Sequence, residues 1–538
     1  MIALSDRRIP VGAFLLVVAA TCALLLSLPG QTVTTRYLTD LLLILDGAYR
    51  VTAGQIPNQD FHTPLGPLAY YLPAAGYVLS GSLGSAMPAA MALVTLALSI
   101  PMLHVLGSRL HPFIALLLGV FLLMILAVPI NLGEGITALT FAKFYNRIGW
   151  AALGTLLVMY LRPRQLRGRQ DLLDILCAAA LTLAMLYTKL TYGIVAVSFL
   201  VFMLTDRQQR RWVLPALGLI VVSCLAIEII WQSSLFYLND LWLALDVGGR
   251  LRGTWGQIAD HILVNMTDYV LLGLFASLSL SRTRSVREGF FYLFCAVTGF
   301  LIVNQNFQAW GIIALHAAAA VAAETILRQE EKIEPDARAG AWSTSTGTRL
   351  LFVALVLPTI VHCSAALGLH MISASTRAGQ SLDLPHLERI RLANLWTWGD
   401  YGTANRYLTA LRDGVEALSE IGLDGRKVLA LDRSNPFPMI LGAPPPSGDL
   451  PWLQWERTLN AAAFIPAETL LAEADVVMEP RFPDRSFTEN SELSGLSALY
   501  GSYIASHFEN VRETDHWRIR RRRLGAEPKV GMNSADPS

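Results

Sequence analysis

The spacing of its apolar runs limits what this chain can fold into more than any other feature. Runs of a length that crosses a bilayer core, about 17–25 residues each, fall near 9–29, 86–106, 112–130, 147–162, 172–188, 190–205, 213–231, 267–281, 289–303, 309–327 and 349–371. A few are short and need extension at their ends. Charged residues make up 15% of the chain and hydrophobic ones 53%, against about 25% charged in an average soluble domain. The expectation is an α-helical polytopic membrane protein of about eleven spans. A net charge of +1 leaves no global basic field for nucleic acid. The cysteines Cys22, Cys177, Cys224, Cys295 and Cys363 all lie in apolar runs, without metal-site or disulfide spacing.

Positive charge sets the topology. Arg7 and Arg8 precede the apolar run Val11 to Leu28, and Pro29, Gly30 and Gln31 follow it in place of a small-residue cleavage site. The run reads as an uncleaved first helix with a cytoplasmic start. The run 65–80, "LGPLAYYLPAAGYVLS", decides the rest. If it spans, the short loops "RPRQLRGRQ" (162–170), "TDRQQRRW" (205–212) and "SRTRSVRE" (281–288) all fall outside. That breaks the positive-inside rule three times, in the short loops where it is most reliable. If 65–80 lies in the outer interface, all three become cytoplasmic, and so do 107–111 and 328–340. We take the second arrangement. Pro67 and Pro73 are then expected to break a juxtamembrane helix, with Tyr70, Tyr71 and Tyr77 suited to the headgroup layer.

Residues 1–371 thus form the expected transmembrane domain, with the first outer loop and juxtamembrane helices at 30–85. Beyond 371 the pattern changes. "HLERIRLANLWTW" and "YGTANRYLTALRDGVEALSEIG" read as amphipathic helices, and "RKVLALD" and "DVVME" as strands. "DHWRIRRRR" reads as a last strand with a basic side. A small extracytoplasmic α/β domain over 372–525 follows, with a disordered tail at 526–538. The basic run Arg518 to Arg523 is a solvated strand edge or a contact for anionic headgroups.

The outer loops hold the polar residues that topology does not require. Asp40, Asp46, Tyr49 and Arg50 lie in a helix-like stretch, with Asp46 and Arg50 placed i,i+4 to pair. They form either a surface ion pair or a carboxylate held as general base or metal ligand. Asp60 and His62 follow in "GQIPNQDFHTPLGP", where Asp60 is a second candidate base or a cap for a helix starting near Pro64. The second outer loop carries Glu134, Lys143, Tyr145, Asn146 and Arg147 before a span. Arg147 and Lys143 either snorkel or aim at a surface anion. Lys189 sits between two apolar runs on the outer side, against the positive-inside bias, and is a candidate phosphate contact. Gln305, Glu228, Asp246, Arg250 and Arg252 complete the set. Collected on one face, cations would stabilise charge developing on a leaving phosphate while a carboxylate takes the acceptor's proton.

The order Asp46, Tyr49, Gly54, Pro57, Asp60, Phe61, then Gly66, Pro67 and Leu68 before a juxtamembrane helix resembles the GT-C superfamily of membrane glycosyltransferases. Protein mannosyltransferases and aminoarabinose transferases are the relatives it is most similar to. The resemblance covers about 40–72 well and otherwise rests on span count and loop placement. It implies a GT-C-like bundle with its site on the non-cytoplasmic side of the inner (plasma) membrane. It also implies a polyprenyl-phosphate sugar donor, inverting transfer to a glycan, lipid or protein acceptor, and catalysis by the first-loop acid, Asp46. A divalent cation, Mg or Mn, serves some members. Many relatives have Asp-Glu where this chain has Asp46-Gly47. Two other classes compete: a transporter or flippase of lipid-linked sugars, and a non-catalytic partner in envelope polysaccharide assembly. Transporters show internal repeats and midplane polar sites, and no repeat is visible here.

Reporter fusions test the topology. Fusions at residues 166 and 208 are expected to report cytoplasm, and fusions at 140 and 420 the outside. The reverse pattern would put 65–80 across the membrane.

Overall fold

The computed structural model describes residues 11–165, 168–248, 255–306, 308, 310–332, 344–423, 425–481 and 490–524. Arg250 and Arg252, expected near the donor, lie outside the described residues, as does the tail 526–538.

The chain is mostly helical, and each of the eleven apolar runs falls on a helix. Among the described residues, five helices are long and apolar enough to cross a membrane: Leu83–Arg109, Gln170–Thr188, Arg210–Trp231, Val286–Asn306 and Thr344–Ser375. A sixth crossing is available if the pair Ile258–Val264 and Met266–Thr283, bent by 64°, counts as one. Val11–Ser27, Pro112–Ala127 and Leu190–Met203 are apolar but shorter. This is a multi-pass membrane protein. The helix Leu68–Ser80 has 13 residues. At about 1.5 Å per residue it falls short of a hydrocarbon core about 30 Å thick.

Two compact units divide the chain. The first gathers 1–33, 87–230 and 251–378. At its centre is the helix Ile313–Glu330, whose run "HAAAAVAA" is buried all round. Small side chains let neighbouring backbones approach closely where lipid supplies no hydrophobic drive. This helix packs on Pro112–Ala127, Phe144–Leu157, Met266–Thr283, Val286–Asn306 and Thr344–Ser375. Every residue of Phe144–Leu157 is buried, so its apolar run serves the protein interior on all faces.

The second unit gathers 34–86, 231–250 and 379–538. It joins the first outer stretch to the C-terminal part of the chain. A four-stranded sheet has the order Val428–Ala430, Val476–Pro480, Trp517–Arg522, Phe508–Glu513. The first pair is parallel and the others antiparallel. Leu429, Val477, Leu453, Leu470, Tyr500 and Ile504 belong to its core.

Several local expectations change. Residues 386–397 are not helical: Ile390–Leu392 is a strand, and the helix starts at Trp398. The backbone reason is visible at Trp396, whose φ of 61° leaves the helical region. The basic strand Trp517–Arg522 lies inside the sheet, paired on both sides. Its arginines find carboxylates there: Arg520 pairs with Glu479, and Arg518 with Glu513. The helix Asn490–His507 and strand Phe508–Glu513 were not anticipated. Pro73 does not break Leu68–Ser80; it sits inside the helix, buried, while Pro67 caps its start.

Gly47 has a packing reason. A Cβ there would lie 2.0 Å from Cδ1 of Tyr70. That ring is buried, and its hydroxyl bonds Thr63 at 2.6 Å. Gly47→Ala is therefore expected to cost about 1–3 kcal/mol through overpacking and to lower the thermal midpoint in detergent. Adding Tyr70→Leu should recover part of the loss. An unchanged midpoint in Gly47→Ala would refute the contact.

Candidate functional site

In the second unit the helix Leu38–Thr52 turns its polar pair inward. The i,i+4 spacing brings Arg50 Nε to 2.7 Å from Asp46 Oδ2, with both side chains fully buried. Arg50 does more than close this pair. Its Nη1 and Nη2 each donate to a different oxygen of Asp449 at 2.8 Å, a bidentate pairing. Nη1 also donates to the Pro446 carbonyl at 2.9 Å. Arg50, expected at the donor phosphate, thus has all three nitrogens engaged within the protein. The loop "APPPSGD" that carries Asp449 makes further bonds to the same stretch. Tyr49 Oη donates to the Ala443 carbonyl at 2.9 Å, and Gln55 Nε2 to the Pro446 carbonyl at 3.0 Å.

The electrostatics follow from this count. Burial pushes the Asp46 carboxyl up from 3.8 to about 6, against the lowering effect of Arg50. Asp449 is likewise raised by burial, again against Arg50. Burial alone would lower Arg50, but Asp449 and Asp46 hold its proton more tightly than usual. Asp46 Oδ1 is buried and has no hydrogen-bond partner among the described residues. Tyr49 is raised by burial and by Asp46 beside it.

Asp60 and His62 sit on the following turn. Asp60 is half-buried, and its Oδ2 accepts from the Ile56 backbone N–H at 2.6 Å. It closes the turn 56–60 and does not cap a helix near Pro64; the next helix begins at Leu68. His62 Nδ1 lies 2.7 Å from Asp240 Oδ1. The other oxygen of Asp240 accepts from Asn58 Nδ2 at 2.8 Å and from the Thr63 N–H at 2.9 Å. Sequence reasoning missed both Asp449 and Asp240. The Pro-Gly turn before Asp449 marked a loop, but nothing local tied either aspartate to residues 178 to 399 positions away.

Glu134, Asn146, Arg147, Lys189 and Gln305 lie in the first unit. Lys189 is an extended residue at the break between Gln170–Thr188 and Leu190–Met203. Its Nζ donates to Asn306 Oδ1 and, at 3.3 Å, to Asn146 Oδ1. It stands 5.1 Å from the centre of the Tyr145 ring. Asn306 Nδ2 in turn donates to Tyr192 Oη at 3.3 Å. Gln305 Oε1 accepts from Thr191 Oγ1 at 2.6 Å. Glu134 Oε1 accepts from Asn131 Nδ2 at 3.4 Å. Arg147 does not snorkel: it is 1% exposed. It makes one long bond, Nη1 to the Ile130 carbonyl at 3.4 Å, and faces Phe141 at 5.7 Å. Its Nε and Nη2 are buried without partners among the described residues. A buried guanidinium with two unused donors suits an anion.

Among the described residues no three His, Cys, Asp or Glu side chains converge to hold a metal ion. The divalent cation that serves some members of the resembled class, Mg or Mn, thus has no ready ligand set among them.

No family model matches the chain, and no curated protein matches it. Solved structures do. The arabinofuranosyltransferase AftD from Mycobacteria aligns over 96% of this chain at 12% identity and a TM-score of 0.44. The chain spans 40% of AftD's length. ArnT from Cupriavidus metallidurans, bound to undecaprenyl phosphate, aligns over 96% of this chain and 99% of its own, at 12% identity and a TM-score of 0.47. The Archaeoglobus fulgidus oligosaccharyltransferase aligns over 92% of this chain and 71% of its own, at 11% identity and a TM-score of 0.41. These proteins belong to the class that the first-loop pattern resembles. At such likeness the function of this chain is read from its own residues.

The raised Asp46 gives a signed pH test. Asp46 holds its proton more tightly folded than unfolded. The stability it contributes is therefore complete below about 3.8 and lost as pH rises through about 6. Relative to Asp46→Asn, the wild-type chain is expected to lose thermal stability across that window and to run parallel above it. A difference that is flat from about pH 3 to 7, the range that brackets these values, would show that burial does not shift Asp46.

Proposed function

We propose that this chain is a membrane glycosyltransferase of the GT-C type. It moves a sugar from a polyprenyl-phosphate donor to an envelope acceptor on the non-cytoplasmic face. The observation that carries the reading is Asp46 Oδ1, a buried carboxylate oxygen with no partner among the described residues, on an acid poised near neutrality. A general base works best when its pKa lies near the operating pH. A buried polar atom left unpaired in a native fold calls for a ligand or a reaction.

The transfer balances as an inverting displacement. The acceptor's hydroxyl oxygen bonds to the anomeric carbon. The bond from that carbon to the phosphate oxygen breaks, and the phosphate leaves with the electron pair. The acceptor's proton passes to a first-loop carboxylate. Asp46 is the proposed base, and Asp60, the half-buried carboxylate of the next turn, is the second. Arg50 holds Asp46 in place, and Tyr49 and His62 line the same loop. Arg147 and Lys189, with Asn146, are the proposed donor-phosphate contacts, because cations there stabilise the charge that grows on the leaving group. Glu134, Gln305 and Arg250 remain candidates around them. The finer architecture belongs to the same proposal: about eleven crossings in a GT-C-like bundle, a cytoplasmic N-terminus, and an extracytoplasmic α/β region over 372–525.

Asp46→Asn is expected to lower turnover by about 10²–10⁴-fold, with lipid-linked sugar accumulating in cells and product glycan lost. Arg147→Gln is expected to raise the donor KM by roughly tenfold or more, the loss of a charge-assisted hydrogen bond. The measurements are envelope glycan analysis, the lipid-linked sugar pool, and assay of folded, monodisperse protein. If Asp46→Asn and Asp60→Asn both keep full activity, the first loop is not the acid-base element.

A further inference from the structure

A separate cavity opens in the first unit, at the basic ends of two spanning helices. It has a volume of about 670 Å³ and lies between the starts of Gln170–Thr188 and Arg210–Trp231, with Arg162, Arg169, Gln170, Asp174, Arg211 and Trp212 in its wall. Its charges are unequally committed. Arg162 is paired with Asp206 at 2.8 Å. Asp174 is neutralised by Arg109 at 2.7 Å and bonded by His104 at 2.8 Å. The guanidinium groups of Arg169 and Arg211 make no hydrogen bond or ion pair among the described residues, although the Arg169 carbonyl accepts from the Leu173 N–H at 3.1 Å. Asp171, in the first turn of the same helix, is the opposing charge at the mouth.

Two further features point to a ligand. Arg169 occupies the N-cap of Gln170–Thr188, and no side chain caps that helix start. Its first-turn N–H groups and dipole therefore favour an anion. Gln170 is 3% exposed, and its Oε1 is buried with no hydrogen-bond partner among the described residues, while its Nε2 is spent on Asp174 at 3.0 Å. The wall thus offers two free guanidinium groups for an anion and one acceptor for a hydroxyl.

The surface beside the cavity identifies the source of that anion. Leu172, itself in the wall, and Leu176 stand i,i+4 on one helix, 53% and 47% exposed. Leu214 and Val221 are exposed on the other. An apolar stripe therefore runs from the cavity mouth along both spans, where acyl chains would lie. Basic pockets between spanning helices on the cytoplasmic side are suited to anionic headgroups, and both loops at this cavity are the ones assigned to that side.

We propose that this cavity binds the headgroup of an anionic glycerophospholipid carrying a free hydroxyl. Its phosphodiester sits between Arg169 and Arg211 at the helix start, and its hydroxyl donates to Gln170 Oε1. The site is distinct from the proposed transfer chemistry and does not depend on it.

The test uses the full chain in nanodiscs of phosphatidylcholine with phosphatidylglycerol, followed by native mass spectrometry after mild delipidation. Wild-type protein should retain phosphatidylglycerol over phosphatidylcholine. The double variant Arg169→Gln/Arg211→Gln should retain about tenfold less. Both arginines are exposed, so the variant should fold, and its thermal midpoint without the lipid checks this. Gln170→Glu, which puts a carboxylate in the wall, should also reduce retention. Equal retention by wild type and the double variant would overturn the proposal. So would stabilisation of wild type by soluble glycerol 3-phosphate as large as that by phosphatidylglycerol, because the ligand would then be a free phosphate.

Discussion

One guanidinium holds the second unit's first outer stretch in place. Arg50 bonds Asp46 on its own helix and Asp449 from a loop 399 residues away. Removing three charges from water is costly, and a buried ion group is tolerated only when geometry and hydrogen bonding are nearly complete. Here the arginine side is complete and the carboxylate side is not. Two carboxylates on one cation leave a negative charge in excess, in a place without water to screen it. Burial, the largest cause, raises the affinity of both acids for a proton, Asp46 to about 6, and the neighbouring Asp449 adds to the rise at Asp46. The interaction that fixes the loop therefore also leaves an acid near neutrality with a free oxygen. Structural and chemical roles need not be divided between different residues.

Gly47 belongs to the same arrangement. A second acid next to Asp46 would need a side chain where the Tyr70 ring lies 2.0 Å from the position of a Cβ. Tyr70 is in turn packed edge-on against Phe61 at 5.4 Å, and Phe61 lies beneath the Arg50 guanidinium at 5.4 Å. The glycine thus seats an aromatic stack that supports the arginine. The carboxylate absent beside Asp46 in sequence is matched by one in space, Asp449, on the far side of Arg50. An acidic pair is present, assembled from two parts of the chain.

This explains which parts were legible in the sequence. Helix positions followed from apolar runs, because a period of 3.6 and a length of 17–25 residues are local properties. The Asp46–Arg50 pair followed from i,i+4 spacing for the same reason. The short strands at 428–430 and 476–480 were visible as apolar runs, the first after a Gly-containing turn and the second after a short helix. Asp449 and Asp240 were not visible, since their partners are fixed by tertiary pairing across hundreds of residues. The misread helix at 386–397 has the composition of an amphipathic helix. Its backbone is overridden by the pairing of Ile390–Leu392 with Gln380–Ser381 and by the left-handed turn at Trp396. Span counting was the least direct inference, because runs such as Phe144–Leu157 are apolar for burial in protein and not for contact with lipid.

The two cations of the first unit differ in a way that charge counting alone would hide. Lys189 reaches amide oxygens of Asn306 and Asn146 and the face of Tyr145. These contacts engage the ammonium through hydrogen bonds and an aromatic face. Arg147 is held by sterics more than by hydrogen bonds, with one long contact and an aromatic face. A protonated guanidinium in that position is expensive unless something completes it. A planar cation with Nε and Nη2 both unused presents two parallel donors on one edge, the geometry that phosphate and carboxylate oxygens match. Of the two, Arg147 is therefore the residue whose buried, unused donors an anion would complete.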